Sequence, residues 1–270
     1  MEERLQFENI VNARGLGGLV MADGRVIRPG RLLRTAHLAD ATDRDVRVLQ
    51  ETFHLRRIFD FRTQAEARYK PDRAVPGAEH ILLPTLDLEE EARSGNAIPD
   101  EVWQALDKLL PDLTFSPRFK ARARELYPSL AFSEFSQLQY ATFMNLILDT
   151  PDGAVLWHCS QGKDRTGMGA ALLLSALGAD RETVIEDFDH SNAEYSELVD
   201  RLVGTVISLG GGDEEIEVIR AFIGVSTKNF IRTLDLIDRE FGSMRNYLNE
   251  RIGITDADMA VLRDRYTFIP

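Results

Sequence analysis

The chain has 270 residues, 44% of them hydrophobic and 28% charged, and carries a net charge of −12 at pH 7. Those proportions are globular and argue against a disordered chain, while the acidity argues against a nucleic-acid partner, which needs a broad basic face. A small phosphate substrate is still allowed, because charges beyond a Debye length of about 8 Å are largely screened and a pocket one phosphate wide answers to its nearest donors.

The N-terminus, Met1-Glu2-Glu3-Arg4, lacks the basic-then-apolar profile of a signal peptide, and no apolar run reaches the roughly 18 residues of a membrane span. A soluble, cytoplasmic protein without stable membrane insertion is expected, with export by a route lacking a signal peptide left open. A short strand is predicted at Leu32-Leu33-Arg34, then a helix over Thr42 to Phe53, where Val46, Leu49 and Phe53 recur at helical spacing. Arg57-Ile58-Phe59-Asp60-Phe61, His80-Ile81-Leu82-Leu83 and Ala154-Val155-Leu156-Trp157-His158 are short and apolar through their middles, as strands buried on both faces are. Before the last of them, the stretch from Glu89 to Phe132 is rich in charge and proline and holds an amphipathic piece (Val102, Leu106, Leu109, Leu110, Leu113). An insertion of that size packs as a helical lid or is a surface excursion without a role, and both readings stand. Helices follow at Ala170 to Leu177, at Leu198 to Ile207, at Ile231 to Phe241 and at Thr255 to Leu262. Strands alternating with helices give an α/β fold: one domain over residues 1–270, with a central, mostly parallel sheet flanked by helices. Such a sheet binds its ligand at the carboxyl ends of its strands.

One segment carries the chemistry: Trp157-His158-Cys159-Ser160-Gln161-Gly162-Lys163-Asp164-Arg165-Thr166-Gly167. It follows a predicted strand and opens a predicted helix, where successive backbone N–H groups converge on an anion and the helix dipole favours negative charge. Gly162 lets the backbone turn without a side chain in the way, and Arg165 offers a planar fork of donors for two phosphate oxygens. The Thr166 hydroxyl can reach the sulfur or cap the helix. Helix N-termini with cationic neighbours bring a cysteine pKa from about 8.5 to roughly 3.5–7.5, so thiolate is the expected resting form and attack needs no separate base. A lone cysteine after a strand is more often a small buried hydrophobe. At ordinary residue frequencies, however, His-Cys-x-x-Gly-x-x-Arg-Thr arises by chance in a chain this long with odds of about one in ten thousand or less. The single cysteine allows no intrachain disulfide, and the five histidines (His37, His54, His80, His158, His190) form no close pair at ligand spacing. Neither a metal nor an organic cofactor is expected.

The segment resembles the signature loop of the cysteine-dependent protein tyrosine phosphatase superfamily, and its Gly162-Lys163-Asp164-Arg165-Thr166 form resembles the bacterial tyrosine/serine phosphatases, some of which also hydrolyse phosphoinositides. Asn12-Ala13-Arg14-Gly15-Leu16-Gly17-Gly18 resembles that family's N-terminal motif, with Gly15 where the family usually has Asp. Arg31-Leu32-Leu33-Arg34-Thr35-Ala36 and Phe59-Asp60-Phe61-Arg62 resemble its core strands. Phe241-Gly242-Ser243, Tyr247-Leu248 and Gly253-Ile254-Thr255 extend the likeness to nearly the whole chain. The resemblance implies a protein tyrosine phosphatase that is metal-independent, works through a phosphocysteine on Cys159 and has room for dual specificity. Its partner would be a phosphorylated protein or a phosphoinositide.

Such a mechanism requires an acid to protonate the leaving oxygen and then a base to activate water. Asp87 lies where the resemblance places an acid-bearing loop, and Asp164 lies inside the cradle. Asp87 is preferred because an acid on a separate loop can face the leaving group across the phosphate; otherwise it is a surface carboxylate heading the run Glu89-Glu90-Glu91. The resemblance suggests that Lys163 adds a second positive charge for bulky or multiply phosphorylated substrates. The plainer reading is a solvated Lys163–Asp164 pair worth under about 1 kcal/mol. The phosphate-binding set is then Ser160, Gln161, Gly162, Lys163, Asp164, Arg165 and Thr166, with His158, Arg62 and Arg14 in support. Arg14, Arg34 and Arg62 serve equally well as structural ion-pair partners, Asp60 and Arg62 read as scaffold, and His158 is expected to shape the loop and tune the thiolate. Two rival readings remain: a phosphoinositide phosphatase of the same mechanism, and a non-catalytic phosphate-binding module, which the presence of both Cys159 and Arg165 disfavours.

Overall fold

The computed structural model describes residues 3–87, 117–150 and 152–270. In chain order its strands are β1 (Glu3–Arg4), β2 (Arg14–Gly15), β3 (Val26–Ile27), β4 (Leu32–Thr35), β5 (Leu55–Asp60), β6 (Glu79–Leu82), β7 (Ala154–His158) and β8 (Thr267–Phe268). The main sheet runs β1-β2-β4-β7-β5-β6. β4, β7, β5 and β6 are parallel, and β2 and β1 add an antiparallel edge. β3 and β8 form a separate ribbon that ties the C-terminus back to the N-terminal third. All residues of β7 are buried, as a central parallel strand requires. Register places Thr35, His158 and Asp60 side by side at the carboxyl edge, one residue before the loop that follows β7.

Strand side chains alternate between faces, and here the two faces feed two cores. Val155 and Trp157 join Leu32, Phe59 and Phe61 in the larger one. Ala154 and Leu156 join Leu33, Leu55 and Ile58 in the smaller, under Leu5, Ile10, Val46 and Leu49. Cys159 belongs to the larger core, so His158, one residue earlier, projects to the other face.

The first helix, α1 (Asp43–Arg47), is opened by a capping box between Thr42 and Asp45 and widens into a π-turn over Val48–Thr52. The helix expected from Thr42 to Phe53 is therefore two pieces. α2 (Gln64–Tyr69) follows β5 with its own capping box, Thr63 and Glu66. The helices that follow are α3 (Pro117–Phe132), α4 (Glu134–Leu148), α5 (Asp164–Leu177), α6 (Arg181–Glu194), α7 (Ser196–Ser208), α8 (Asp213–Ile223), α9 (Thr227–Phe241), α10 (Met244–Tyr247) and α11 (Asp256–Tyr266); all but α7 and α8 contribute to the larger core, and those two pack together in a cluster of their own. Three of the predicted helices fall within α5, α7 and α9, and the fourth runs from Thr255, the cap of α11, into that helix, whereas α2, α4, α6, α8 and α10 were not anticipated. Of the charged insertion, α3 is the C-terminal part, with Tyr127, Leu130 and Ala131 packed into the larger core. Val102, Leu106, Leu109, Leu110 and Leu113 lie outside the described residues. Among the described residues no helix is long and apolar enough to cross a membrane.

Candidate active site

Residues 159–163 connect β7 to α5 and fold back against the end of β4. Gly162 has φ +68°, and a Cβ there would stand 2.3 Å from the Thr35 carbonyl oxygen and 2.6 Å from the Ala36 nitrogen. Glycine is required both by the left-handed backbone and by the contact. The loop's carbonyls are tethered from outside. Ser160 O accepts the His37 N–H at 3.3 Å, and Gln161 O accepts Asn12 Nδ2 at 2.9 Å and the Tyr195 hydroxyl at 2.7 Å. Gly162 O accepts Asn12 Nδ2 and Arg34 Nη2, each at 3.0 Å. In a trans peptide the N–H points opposite its C=O. Anchoring the carbonyls outward therefore turns the following N–H groups inward, toward a common anion.

Cys159 stands at the base of this bowl, 2% exposed. Burial works against ionisation of its thiol. The Arg165 charge and the nearby Thr166 hydroxyl and N–H outweigh that, and the pKa lies below the ordinary thiol value. Arg165 is gripped by a residue that the sequence reading did not single out. Glu66 takes Arg165 Nη1 at 2.7 Å and Nη2 at 2.8 Å in a bidentate pair and also accepts the Ser160 hydroxyl at 2.6 Å. The fork is fixed by one edge and keeps Nε–H, which has no partner among the described residues, for a phosphate oxygen.

Beneath the loop, Arg14 and Arg34 are buried around Asp187 of α6. Arg34 Nη1 meets Asp187 Oδ2 at 2.5 Å, Arg14 Nε meets Oδ1 at 3.3 Å, and Arg14 Nη1 donates to Asn12 Oδ1 at 2.9 Å. Both arginines are ion-pair partners that fix the loop's underside. Asn12, in the left-handed region at φ +49°, carries that support to the Gln161 and Gly162 carbonyls. Gly15, where the resembling family has Asp, is a buried residue of β2 paired with Leu33, and the loop tether falls to Asn12.

His158 turns to the other face of the sheet, away from the thiol, whereas Arg62 helps line the cavity above Cys159. Arg62 bridges Asp60 at 2.7 Å and Asp72 at 2.6 Å. His158 is wholly buried, with Nδ1 3.1 Å from the Cys159 carbonyl oxygen and Nε2 3.1 Å from Asp72. Burial lowers its pKa, but Asp60 and Asp72 raise it further, and the net shift is upward.

The two candidate acids differ in setting. Asp164 lines the cavity above Cys159 and accepts the Tyr127 hydroxyl at 2.7 Å on Oδ1 and Lys163 Nζ at 2.5 Å on Oδ2. Asp87 follows β6 and is half-buried just past the carboxyl edge of the sheet. There Leu83 N–H bonds to Asp60 O at 2.8 Å and Thr85 O accepts the Ser136 hydroxyl at 2.8 Å. The cavity holds about 310 Å³, and its walls add His37, Arg62, Glu66, Tyr69 and Lys70 to the loop residues. Tyr69 is 60% exposed. Glu66 was legible as the last residue of a Thr-x-x-Glu box after a strand; Asn12 stood only within the N-terminal motif, and Asp187 and Tyr69 had no local signal.

Residues 5–268 match the model of the tyrosine phosphatase family. The chain belongs to that family. A Cupriavidus necator protein provisionally named a tyrosine-protein phosphatase is 31% identical over 97% of this chain and 88% of its own length. The triple specificity protein phosphatase PtpB of Mycobacterium tuberculosis is 27% identical over 88% of this chain and 91% of its own. The solved structure of P. aeruginosa TpbA in complex with phosphotyrosine covers 70% of this chain and 91% of that one at 14% identity, a slight likeness with a TM-score of 0.34. The family and its named members make this chain an enzyme, a protein tyrosine phosphatase acting on a phosphorylated substrate.

Proposed function

We propose that the enzyme hydrolyses phosphotyrosine and related aryl phosphate monoesters through a phosphocysteine on Cys159. The observation that carries this reading is the bidentate grip of Glu66 on Arg165 beside a buried thiol shifted toward thiolate. Such an arrangement presents nucleophile and guanidinium to one phosphorus before substrate arrives, so little reorganisation is left to the transition state. In the first step Cys159 Sγ attacks phosphorus; the S–P bond forms as the bond to the phenolic oxygen breaks, and that oxygen takes a proton from the acid. Arg165 and the loop N–H groups hold the equatorial oxygens, where charge spreads. In the second step water attacks the same phosphorus, its proton passes to the acid's conjugate base, and the S–P bond breaks to restore the thiolate.

Asp87 is the acid in this reading. Asp164 has both carboxylate oxygens engaged as acceptors, by Tyr127 and Lys163, which suits it to hold Lys163 in place more than to deliver a proton. The cavity's cations each have a carboxylate of their own: Lys70 with Asp40 at 2.5 Å, Lys163 with Asp164, Arg62 with Asp60 and Asp72, and Arg165 with Glu66. A single aryl phosphate asks only for Arg165 and the loop. A polyanionic inositol headgroup would also have to draw Lys163 or Lys70 from its partner, so it ranks second. It is kept as a reading because Lys163 lines the cavity and PtpB is named for triple specificity.

Hydrolysis of an aryl phosphate in excess chelator, beside phosphotyrosine, phosphoserine and phosphoinositide substrates, tests this. Cys159→Ser should lose turnover while still binding phosphate; substantial residual turnover overturns the nucleophile. Asp87→Asn should slow poor leaving groups more than a nitrophenyl ester, and equal slowing would assign the acid elsewhere.

A further inference from the structure

We propose that Asp72, His80 and His158, with Asp60 beside them, form a binding site for Zn²⁺ or a similar borderline divalent metal on the sheet face opposite Cys159, and that its occupation slows the enzyme. Only the second half rests on the phosphatase reading. The ligand atoms of these four residues all lie within 4.8 Å of one another. Asp72 Oδ2 is 3.0 Å from His80 Nε2 and 3.1 Å from His158 Nε2, close to the separation of roughly 3.3 Å between donors around a tetrahedral ion with bonds near 2.0–2.1 Å. Sequence could not show this pairing, because His80 and His158 sit on β6 and β7, with β5 between them.

The buried imidazole supplies the independent observation. Its Nδ1 faces the Cys159 carbonyl oxygen, which only an N–H can satisfy, and the neutral ring then has its lone pair on Nε2. That Nε2 is fully buried and has no hydrogen-bond partner of good geometry among the described residues, yet it faces a carboxylate oxygen at 3.1 Å. Two lone pairs so opposed require a positive charge between them, either a metal ion or a proton on Nε2. The surroundings are prepared for the ion. Asp72 Oδ1 accepts the Leu38 N–H at 2.6 Å, and Oδ2 accepts Arg62 Nη2 at 2.6 Å, which orients the carboxylate and leaves Oδ2 a second lone pair. Asp60 and Asp72 carry two negative charges against the one of Arg62, so the cluster with neutral imidazoles is net anionic. Two imidazoles and a carboxylate favour zinc or cobalt over magnesium or calcium. His80, 40% exposed, opens the way in from solvent. A metal on His158 Nε2 would stiffen the ring that holds the first carbonyl of the phosphate loop.

Zinc titrated into metal-stripped protein against a chromophoric chelator tests the site, with Co²⁺ absorption as a second readout. One equivalent should bind, equally in wild type and Cys159→Ser and about tenfold or more weaker in His80→Ala. Cobalt should show the bands of a tetrahedral nitrogen–oxygen site without thiolate charge transfer. Saturating zinc should lower aryl phosphate turnover of wild type and leave that of His80→Ala at its own metal-free value. Loss of binding in Cys159→Ser, with a thiolate band, would put the metal on the nucleophile and overturn the proposal. So would equal affinity in His80→Ala, or no binding at all, which would leave the proton as the occupant. Tight binding at this site with turnover unchanged would overturn the inhibitory half.

Discussion

Glu66 closes the capping box of α2 by accepting the Thr63 N–H at 2.8 Å, and the same carboxylate holds both Nη atoms of Arg165. Burial alone would raise its pKa, but Arg165, Ser160 and Thr63 hold it well below the usual carboxylate range. A carboxyl depressed on folding stabilises the folded state above its unfolded pKa, about 4.3, and that contribution is lost as pH falls through the folded value. Across neutral pH the grip on Arg165 is therefore complete, and its loss begins only in acid. Replacing Glu66 by Gln keeps the shape and removes the charge. Glu66→Gln should cost about 1.5–3 kcal/mol of stability and about 10- to 100-fold in kcat/KM through a loosened arginine. Thermal melts from pH 6 to pH 3 should fall less steeply for Glu66→Gln than for wild type. Parallel melts would mean that the pair contributes nothing to folding.

The element that makes the site is a strand–turn–helix unit pressed onto its neighbours, and two substitutions probe how it is held. Gly162→Ala meets both a left-handed backbone and the Thr35 carbonyl, so a loss of about 2–5 kcal/mol is expected in chemical denaturation, with phosphate affinity falling at the same time. Asp187→Asn attacks from below. Burial raises the Asp187 pKa, Arg34 and Arg14 lower it further, and the charged carboxylate bridges two buried guanidiniums. Leaving them with a neutral amide should cost about 3–5 kcal/mol; a cost below about 1 kcal/mol would mean that other groups balance the arginines. The upper half of this unit was legible in the sequence, because an apolar strand, a glycine at a tight turn and an apolar helix each leave a local signal. The lower half was not. Asp187 sits among Glu186 and Asp189 in a helix of mostly polar composition, and nothing local separates a buried carboxylate from an exposed one. Arg34 was read as motif or scaffold with equal weight, since its partner lies on a helix far along the chain.

At the scale of the molecule, the parallel sheet and its loop followed from strand pattern, while the convergence of β5, β6 and β7 side chains on the far face required register that sequence does not give. The insertion shows the same limit: its composition marked it as extra to the core, yet only the fold shows that α3 reaches the site. Tyr127 of α3 donates its hydroxyl to Asp164 at 2.7 Å and accepts the Ser226 N–H at 3.2 Å, the cap of α9. Its ring meets Phe188 of α6 edge-on at 5.3 Å. One side chain thus joins the insertion, the phosphate loop, α6 and α9. Tyr127→Phe removes the hydroxyl and keeps the ring packing, so stability should fall by only about 0.5–1.5 kcal/mol. Turnover tests the connection separately. If the hydroxyl positions Asp164 and, through it, Lys163 at the cavity wall, Tyr127→Phe should lower kcat/KM several-fold, and adding it to Asp164→Ala should cost little more, since both remove one contact. Additive losses in that double variant would show instead that Tyr127 acts on the site through the α9 cap, independently of the loop.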